Sequence, residues 1–117
     1  MKRVEKGWGH ELWVHNDERY CGKLLFFNKG KKCSFHYHAI KHETFYLQSG
    51  KMILKIIPLD ELTTTTMPIP EIELNPGDAY EIPRNTVHQM TALEDSELFE
   101  FSTEHFDSDS HRIVKGD

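Results

Sequence analysis

Short runs of β-branched and aromatic residues recur along this chain, and turn-forming residues separate them every few positions. No run keeps the spacing of about 3.6 residues that marks an amphipathic helix. Alternation bounded by glycine, proline and asparagine is typical of an all-β protein. The expected strands are Leu12–Val14, Tyr20–Asn28, Lys32–His38, Glu43–Gln48, Lys51–Pro58, Glu71–Leu74, Ala79–Ile82, His88–Ala92 and Leu98–Ser102. Because short strands leave exposed edges, a small β-barrel or jelly roll is the expected architecture.

The chain has 117 residues, which is close to the common size of one domain. We expect a single domain over 1–117, with a core over about 20–103, an N-terminal segment over 1–19 and a C-terminal segment over 104–117. A tight hairpin is expected at Gly50, and a long connection over 59–70. The C-terminal segment either frays or folds back as a lid.

Composition narrows the possible partners and the compartment. The net charge is −5, so a nucleic-acid partner is not expected. No apolar stretch approaches the roughly 20 residues of a membrane span, and we expect no membrane partner and a cytoplasmic location. In that compartment Cys21 and Cys33 are expected to be free thiols, with packing favoured over chemistry for Cys33.

Three histidines and one glutamate lie where metal ligands would be expected. His36 and His38 are two residues apart, so they lie on the same face of one strand. Glu43 begins the next strand and His88 comes from a distant one, so the four meet only if these strands are neighbours. Imidazole and carboxylate ligands suit zinc, iron, manganese, nickel or copper. The pattern therefore indicates one divalent transition-metal ion with open coordination positions.

Two motifs in order resemble those of the cupin superfamily. The positions that match are Gly30, His36, His38, Glu43 and Gly50 in the first motif, and Gly77, Pro83 and His88 in the second. Asn85 and Ala92 stand where glycine and asparagine are usual. The resemblance implies a single-domain cupin β-barrel (a jelly roll, or double-stranded β-helix), a metal on His36, His38, Glu43 and His88, and pairing as a homodimer.

A narrower resemblance is to the cupin domain of type II mannose-6-phosphate isomerases. The segments that carry it are Gly7-Trp8-Gly9-His10-Glu11, Gly22-Lys23, the first motif and Asp107–Arg112. It implies aldose–ketose isomerisation of a sugar or sugar phosphate, with the metal as Lewis acid and a general base that moves a proton between neighbouring carbons.

Other residues are candidates for catalysis or substrate binding. Near the motifs, Glu81, His42 and Tyr80 are the possible bases, and the resemblance adds Arg112. Arg84 and Lys41 are candidates for binding an anionic substrate. The aromatic pattern favours core or dimer packing over substrate stacking, with Tyr46 as the stacking candidate; its members are Phe35, Tyr37, Phe45, Tyr46 and Phe101.

Two other functions remain open on the sequence. A site of three histidines and a carboxylate also suits a metal-dependent oxygenase or lyase. The absence of an obvious base favours a non-catalytic module that binds a sugar or another small molecule. The remaining histidines outside the motifs have no spacing signal and are expected to be solvated; they are His10, His15, His105 and His111.

Overall fold

The computed structural model describes all of residues 1–117, which form eleven strands and one short helix. The strands are β1 Lys2–Lys6, β2 Gly9–Asn16, β3 Cys21–Phe27, β4 Phe35–Tyr37, β5 Glu43–Ser49, β6 Met52–Pro58, β7 Glu71–Leu74, β8 Ala79–Ile82, β9 Thr86–Ala92, β10 Ser96–Ser102 and β11 His111–Val114. The helix α1 spans Leu59–Leu62, and a 3₁₀ turn spans Asp107–Asp109.

The strands make two antiparallel sheets. One has six strands in the order β1-β2-β3-β10-β5-β8, and the other has five in the order β11-β4-β9-β6-β7. The all-β prediction and the cupin jelly-roll prediction are confirmed. The barrel is open, because no strand of one sheet pairs with a strand of the other.

The core lies between the sheets because alternate residues of each strand point inward. In β5, the residues Glu43, Phe45 and Leu47 are buried, while the residues between them are more exposed. Leu47 and Leu98 are fully buried within a cluster of 13 apolar residues. Burying one such side chain stabilises the fold by about 1.5–3 kcal/mol. This core fixes which side of each strand faces the space between the sheets.

Each of the nine expected strands contains an observed strand or lies within one. The expected strand at Lys32–His38 is shortened to β4, and before it Lys32 makes only an isolated bridge to Thr91 of β9. There the amide of Asp117 donates to the carbonyl of Lys32, and the backbone of Gly116 packs against Cys33.

No helix of the structure is long and apolar enough to cross a membrane.

Both ends of the chain add strands that the sequence pattern did not predict. In β1 only Val4 is half-buried, and in β11 three of four residues are exposed, so neither has an alternating apolar side. They form by backbone pairing, β1 with β2 and β11 with β4. The C-terminal segment therefore folds back on the domain, as one of the two expected alternatives required.

Two turns require a left-handed backbone. Gly50 has φ 93°, as the hairpin prediction required, and a Cβ there would lie 2.2 Å from Oγ of Ser96. Asn85 has φ 57°, and asparagine tolerates this conformation better than most residues with a side chain. This explains how Asn85 replaces the glycine that is usual in the second motif.

Candidate metal centre

The four expected metal ligands lie together between the sheets. His36 on β4 is opposite His88 on β9, and Glu43 begins β5 across the core. One ring nitrogen from each of His36, His38 and His88 lies within 4.8 Å of the others. The Oε2 atom of Glu43 is 3.3 Å from Nε2 of His38 and 3.5 Å from Nε2 of His88.

The three imidazole rings are oriented by the backbone. The Nδ1 atoms of His36, His38 and His88 lie 2.8, 3.0 and 2.9 Å from the carbonyl oxygens of Ser34, Asp109 and Thr86. Because a carbonyl oxygen only accepts, each Nδ1 carries the proton and each Nε2 keeps its lone pair for a metal. Burial lowers the pKa of all three histidines, that of His88 to about 3, which keeps the rings neutral.

Two buried atoms at this point lack a hydrogen-bond partner. They are Oε2 of Glu43 and Nε2 of His88, which are both acceptors when the carboxyl is ionised and the ring is neutral. Leaving a buried polar group unsatisfied costs about 1–3 kcal/mol. A cation between them would satisfy both, and three nitrogens with one oxygen suit zinc, iron, manganese or nickel. The residues present therefore fit a divalent metal ion.

The charge around the ligands also favours a cation. Lys41 is buried, with Nζ 2.9 Å from Oε2 of Glu100 and 3.9 Å from Oε1 of Glu43. Burial and the charge of Glu100 raise the pKa of Glu43 to about 8, although Lys41 opposes this. Burial also disfavours the charged form of Glu100, but Lys41 and Lys23 hold the pKa of Glu100 below its usual value. Two carboxyl groups thus share one close lysine.

The centre opens into a cavity of about 620 Å³ that has a polar wall. Lys23 is buried, lies 3.5 Å from Oε1 of Glu11 and stacks over the ring of Trp13 at 4.3 Å. His105 has Nδ1 3.1 Å from Nζ of Lys41 and Nε2 2.9 Å from Oδ1 of Asp107. The cavity therefore places acidic, basic and imidazole groups beside the candidate metal ligands.

Four of these wall residues were not predicted to be site residues, and they are Glu11, Lys23, Glu100 and His105. Two of them did carry a signal. Lys23 occupies an inward position of β3 between Cys21 and Leu25, and Glu100 occupies an inward position of β10 next to Leu98. A charged residue in such a series is costly unless it is paired, so its presence indicates a function or an ion pair. His105 had no such signal, and its side chain is largely buried rather than solvated.

Two other expected site residues line the same cavity, and they are Lys41 and Arg112. Arg112 is on β11, opposite His36 of β4. Burial is the main cause of the lowered pKa of His36, and the positive charge of Arg112 lowers it further. The cavity therefore contains a buried lysine near the ligands and an exposed arginine at its edge.

The remaining expected site residues lie outside the cavity wall. The Nε2 atom of His42 is 3.3 Å from Oε1 of Glu81, and both side chains are well exposed. The Nε of Arg84 donates to the carbonyl of Ile40. Tyr46 stacks on Phe99, on the side of β5 opposite the buried Glu43. Strand alternation explains this placement, because inward Glu43 turns His42 outward.

Both cysteines are free, as expected, and neither belongs to the ligand cluster. Cys21 is buried in β3. The Sγ of Cys33 accepts from the amide of Met90 at 3.3 Å, and burial raises the pKa of this thiol to about 12. A packing role therefore accounts for Cys33.

Comparison with known proteins agrees with this geometry. The model of the cupin domain family matches residues 23–102. A D-lyxose/D-mannose isomerase of Thermosediminibacter oceani is 33% identical over 121 residues, covering 87% of this chain and 66% of the relative. A D-lyxose ketol-isomerase of Thermofilum sp. is 32% identical over 118 residues, covering 85% and 65%. The chain thus spans just under two thirds of the length of these relatives.

Two further similarities are more limited in what they indicate. A quercetin 2,3-dioxygenase of Bacillus subtilis is 40% identical over 60 residues, which is 51% of this chain and 14% of that enzyme. The solved structure of KdgF from Halomonas sp. superposes with a TM-score of 0.75 at 19% identity and covers 92% of both chains. At that identity the likeness concerns the fold alone.

Proposed function

This chain belongs to the cupin domain family, and we propose that it is a metal-dependent aldose–ketose isomerase acting on a sugar of the D-lyxose or D-mannose type. The observation that carries the proposal is a cluster of three histidines with a nearby glutamate, all lining one polar cavity; these candidate ligands are His36, His38, His88 and Glu43. The two isomerase relatives support the substrate class. A phosphorylated sugar, as in mannose-6-phosphate isomerases, is the finer alternative for the same site.

Isomerisation moves a hydrogen from C2 to C1 of the sugar and a proton from O2 to O1, so it needs no oxidant. A divalent ion held by the four ligands would supply Lewis-acid polarisation of the two oxygens. Glu100 is buried in the cavity wall, and its carboxylate is kept ionised by Lys41. We assign Glu100 as the group that removes the C2 proton and returns it to C1.

The roles of the other wall residues follow from their placement. Lys41 keeps Glu100 ionised and lies close enough to the ligands to donate to a substrate oxygen. Arg112 stays a candidate for catalysis or substrate anchoring at the cavity edge. Four residues have no part in this mechanism because they lie outside the cavity, and they are Glu81, His42, Arg84 and Tyr46.

Ketose formation tests the proposal. Metal-stripped protein, reloaded separately with zinc, ferrous iron, manganese or nickel, is incubated with D-lyxose, D-mannose and mannose 6-phosphate. We expect ketose from at least one of them. Glu100→Gln should still bind the metal but lose about 10²–10⁴-fold in turnover, the range for a removed general base. The proposal fails if no reloaded sample forms ketose.

The dioxygenase relative supports a second candidate function for the same ligands. Three histidines and one carboxylate with open positions also suit ferrous iron and dioxygen. Oxygen consumption by the iron-loaded protein with quercetin would favour this function. Ketose formation from a sugar without oxygen consumption would exclude the oxygenase function for that sugar.

We also propose that two copies pair through the outer face of the six-stranded sheet. Tyr46, Phe99 and Phe101 form an aromatic row there, with ring centroids 6.2 and 6.1 Å apart, and Phe101 is 57% exposed. Contiguous exposed apolar surface marks interaction sites. Light scattering at micromolar concentration should give twice the chain mass of 13.7 kDa for the wild type. The Phe101→Lys variant should give the mass of a single chain. A wild-type monomer would contradict the pairing.

We propose a cytoplasmic location as well, and two free cysteines, Cys21 and Cys33, support it. Free thiols persist in reducing compartments and are less common in secreted proteins. Fluorescence microscopy of the tagged protein tests the location, and a signal outside the cytoplasm would contradict it.

A further inference from the structure

The C-terminal segment contacts the strand and turn that carry two of the ligands. Strand β11 pairs with β4, which places Arg112 beside His36. Just before β11, the 3₁₀ turn Asp107–Asp109 lies against the turn that follows His38. Residues more than 65 positions apart in the sequence are thus joined next to the ligands.

Asp109 makes most of these contacts, and it does so with both its backbone and its side chain. Its carbonyl oxygen accepts the Nδ1 proton of His38 at 3.0 Å. Its carboxylate accepts the backbone amides of Ala39, Ile40 and Lys41 at distances of 2.9 to 3.2 Å. Asp109 is only 3% exposed, so these amides satisfy a carboxylate that would otherwise be buried without partners.

The turn that Asp109 holds carries groups important to the site at both ends. His38 at its start is a candidate ligand, and Lys41 at its end lies between Glu43 and Glu100. The loop before β9 holds the other side of the turn, because the amide of Asn85 in that loop donates to the carbonyl of His38. With both sides bonded, the turn has a fixed position relative to the ligands.

From these contacts we propose that Asp109 is a positioning residue of the metal centre, which sets the ring of His38 and the turn 38–41 from the C-terminal segment. The inference rests on the proposed metal site but assigns a role outside the ligand set. A group that bonds the other ring nitrogen of a metal-binding histidine fixes the tautomer and orientation of the ring, and loss of such a group typically weakens metal affinity 10–100-fold. The role needs only the carboxylate and the carbonyl, with no chemistry at Asp109 itself.

Two variants and a matched control separate positioning from general stability. Asp109→Ala removes all the carboxylate bonds, and Asp109→Asn keeps one acceptor oxygen for Ala39 and Ile40. The control is Asp95→Ala, since Asp95 also accepts a backbone amide, that of Lys29 at 2.8 Å, in a turn outside the cavity wall. All variants are compared as full-length protein with the wild type.

The readouts are Co²⁺ affinity, measured by chelator competition, and amide hydrogen exchange in metal-free protein. Asp109→Ala keeps the carbonyl that holds His38 but frees the turn 38–41, so we expect it to bind Co²⁺ about tenfold more weakly, the lower end of the range for a lost histidine partner, with Asp109→Asn between it and the wild type. Exchange at Ala39, Ile40 and Lys41 should accelerate at least tenfold in Asp109→Ala. Asp95→Ala should leave both readouts within twofold of the wild type.

The results that overturn the inference differ from those that overturn the proposed function. Unchanged Co²⁺ affinity in Asp109→Ala, or an equal loss in Asp95→Ala, would refute positioning by Asp109 and leave the metal centre standing. A wild-type protein that binds no Co²⁺ would refute the metal centre and this inference together. An Asp109→Ala protein that fails to fold leaves Asp109→Asn to decide, and unchanged affinity in that variant counts against the role.

Discussion

Replacing Lys41 with methionine removes the positive charge that lies between Glu43 and Glu100. The Lys41 side chain is 2% exposed and the two glutamate side chains are 1% and 5% exposed, so water does not replace the lost partner. Breaking a buried ion pair by removing one member costs about 3–5 kcal/mol. For 117 residues the unfolding entropy is about 0.25 kcal/mol per kelvin, so the melting temperature should fall by about 12–20 °C.

The assay is calorimetry of metal-free protein with chelator present, because a bound cation would offset the missing charge. Lys41→Met/Glu100→Gln should recover part of the loss, since it also removes the buried carboxylate that Lys41 holds ionised. The control is Lys51→Met, whose exposed pair with Glu73 at 3.9 Å should contribute less than about 1 kcal/mol. A loss below about 1 kcal/mol in Lys41→Met would refute the account of a buried charge network.

Two further predictions concern metal binding and the thiols. Because burial and the charge of Glu100 raise the pKa of Glu43, the metal-free protein should release protons when it binds an ion at pH 7, and affinity should rise with pH; calorimetry in buffers of different ionisation enthalpy measures this. Because burial raises the pKa of both thiols, Cys21 and Cys33 should stay unlabelled by a thiol reagent at pH 8 in the folded protein and both react after unfolding.

Each of these predictions has a control and a contrary result. Glu43→Gln carries no proton to release, so its proton count should fall towards zero; a wild-type count near zero at pH 7 would contradict the raised pKa. For the thiols, rapid labelling of either cysteine in folded protein would show that the packing around it is looser than the structure indicates.

The sequence predicted the central strands because each is a short run rich in apolar and aromatic residues between turn residues. Strands β5, β6 and β10 are such runs, and each buries mainly alternate residues. The two end strands were not predicted, because β1 and β11 have few buried side chains and depend on backbone pairing with β2 and β4. Backbone pairing leaves no pattern in the side chains.

The candidate site was also predicted only in part. Spacing within two short motifs was enough to select His36, His38, Glu43 and His88 as a set. Glu100 lines the cavity only because β10 lies between β3 and β5, a neighbourhood that joins distant parts of the chain. Local sequence does not specify that neighbourhood. Of the bases predicted near the motifs, Glu81 and His42 therefore lie on the outer surface, and Tyr80 packs against the apolar core.

The metal content of freshly purified protein, measured by elemental mass spectrometry, tests the central claim most directly. The account predicts about one equivalent of a divalent transition metal per chain, bound by His36, His38, Glu43 and His88, and its loss in His36→Ala and His88→Ala. Circular dichroism confirms that both variants remain folded. Full metal content in either folded variant, or a wild-type protein that stays empty after incubation with zinc, iron, manganese and nickel, would contradict the metal centre on which the proposed function depends.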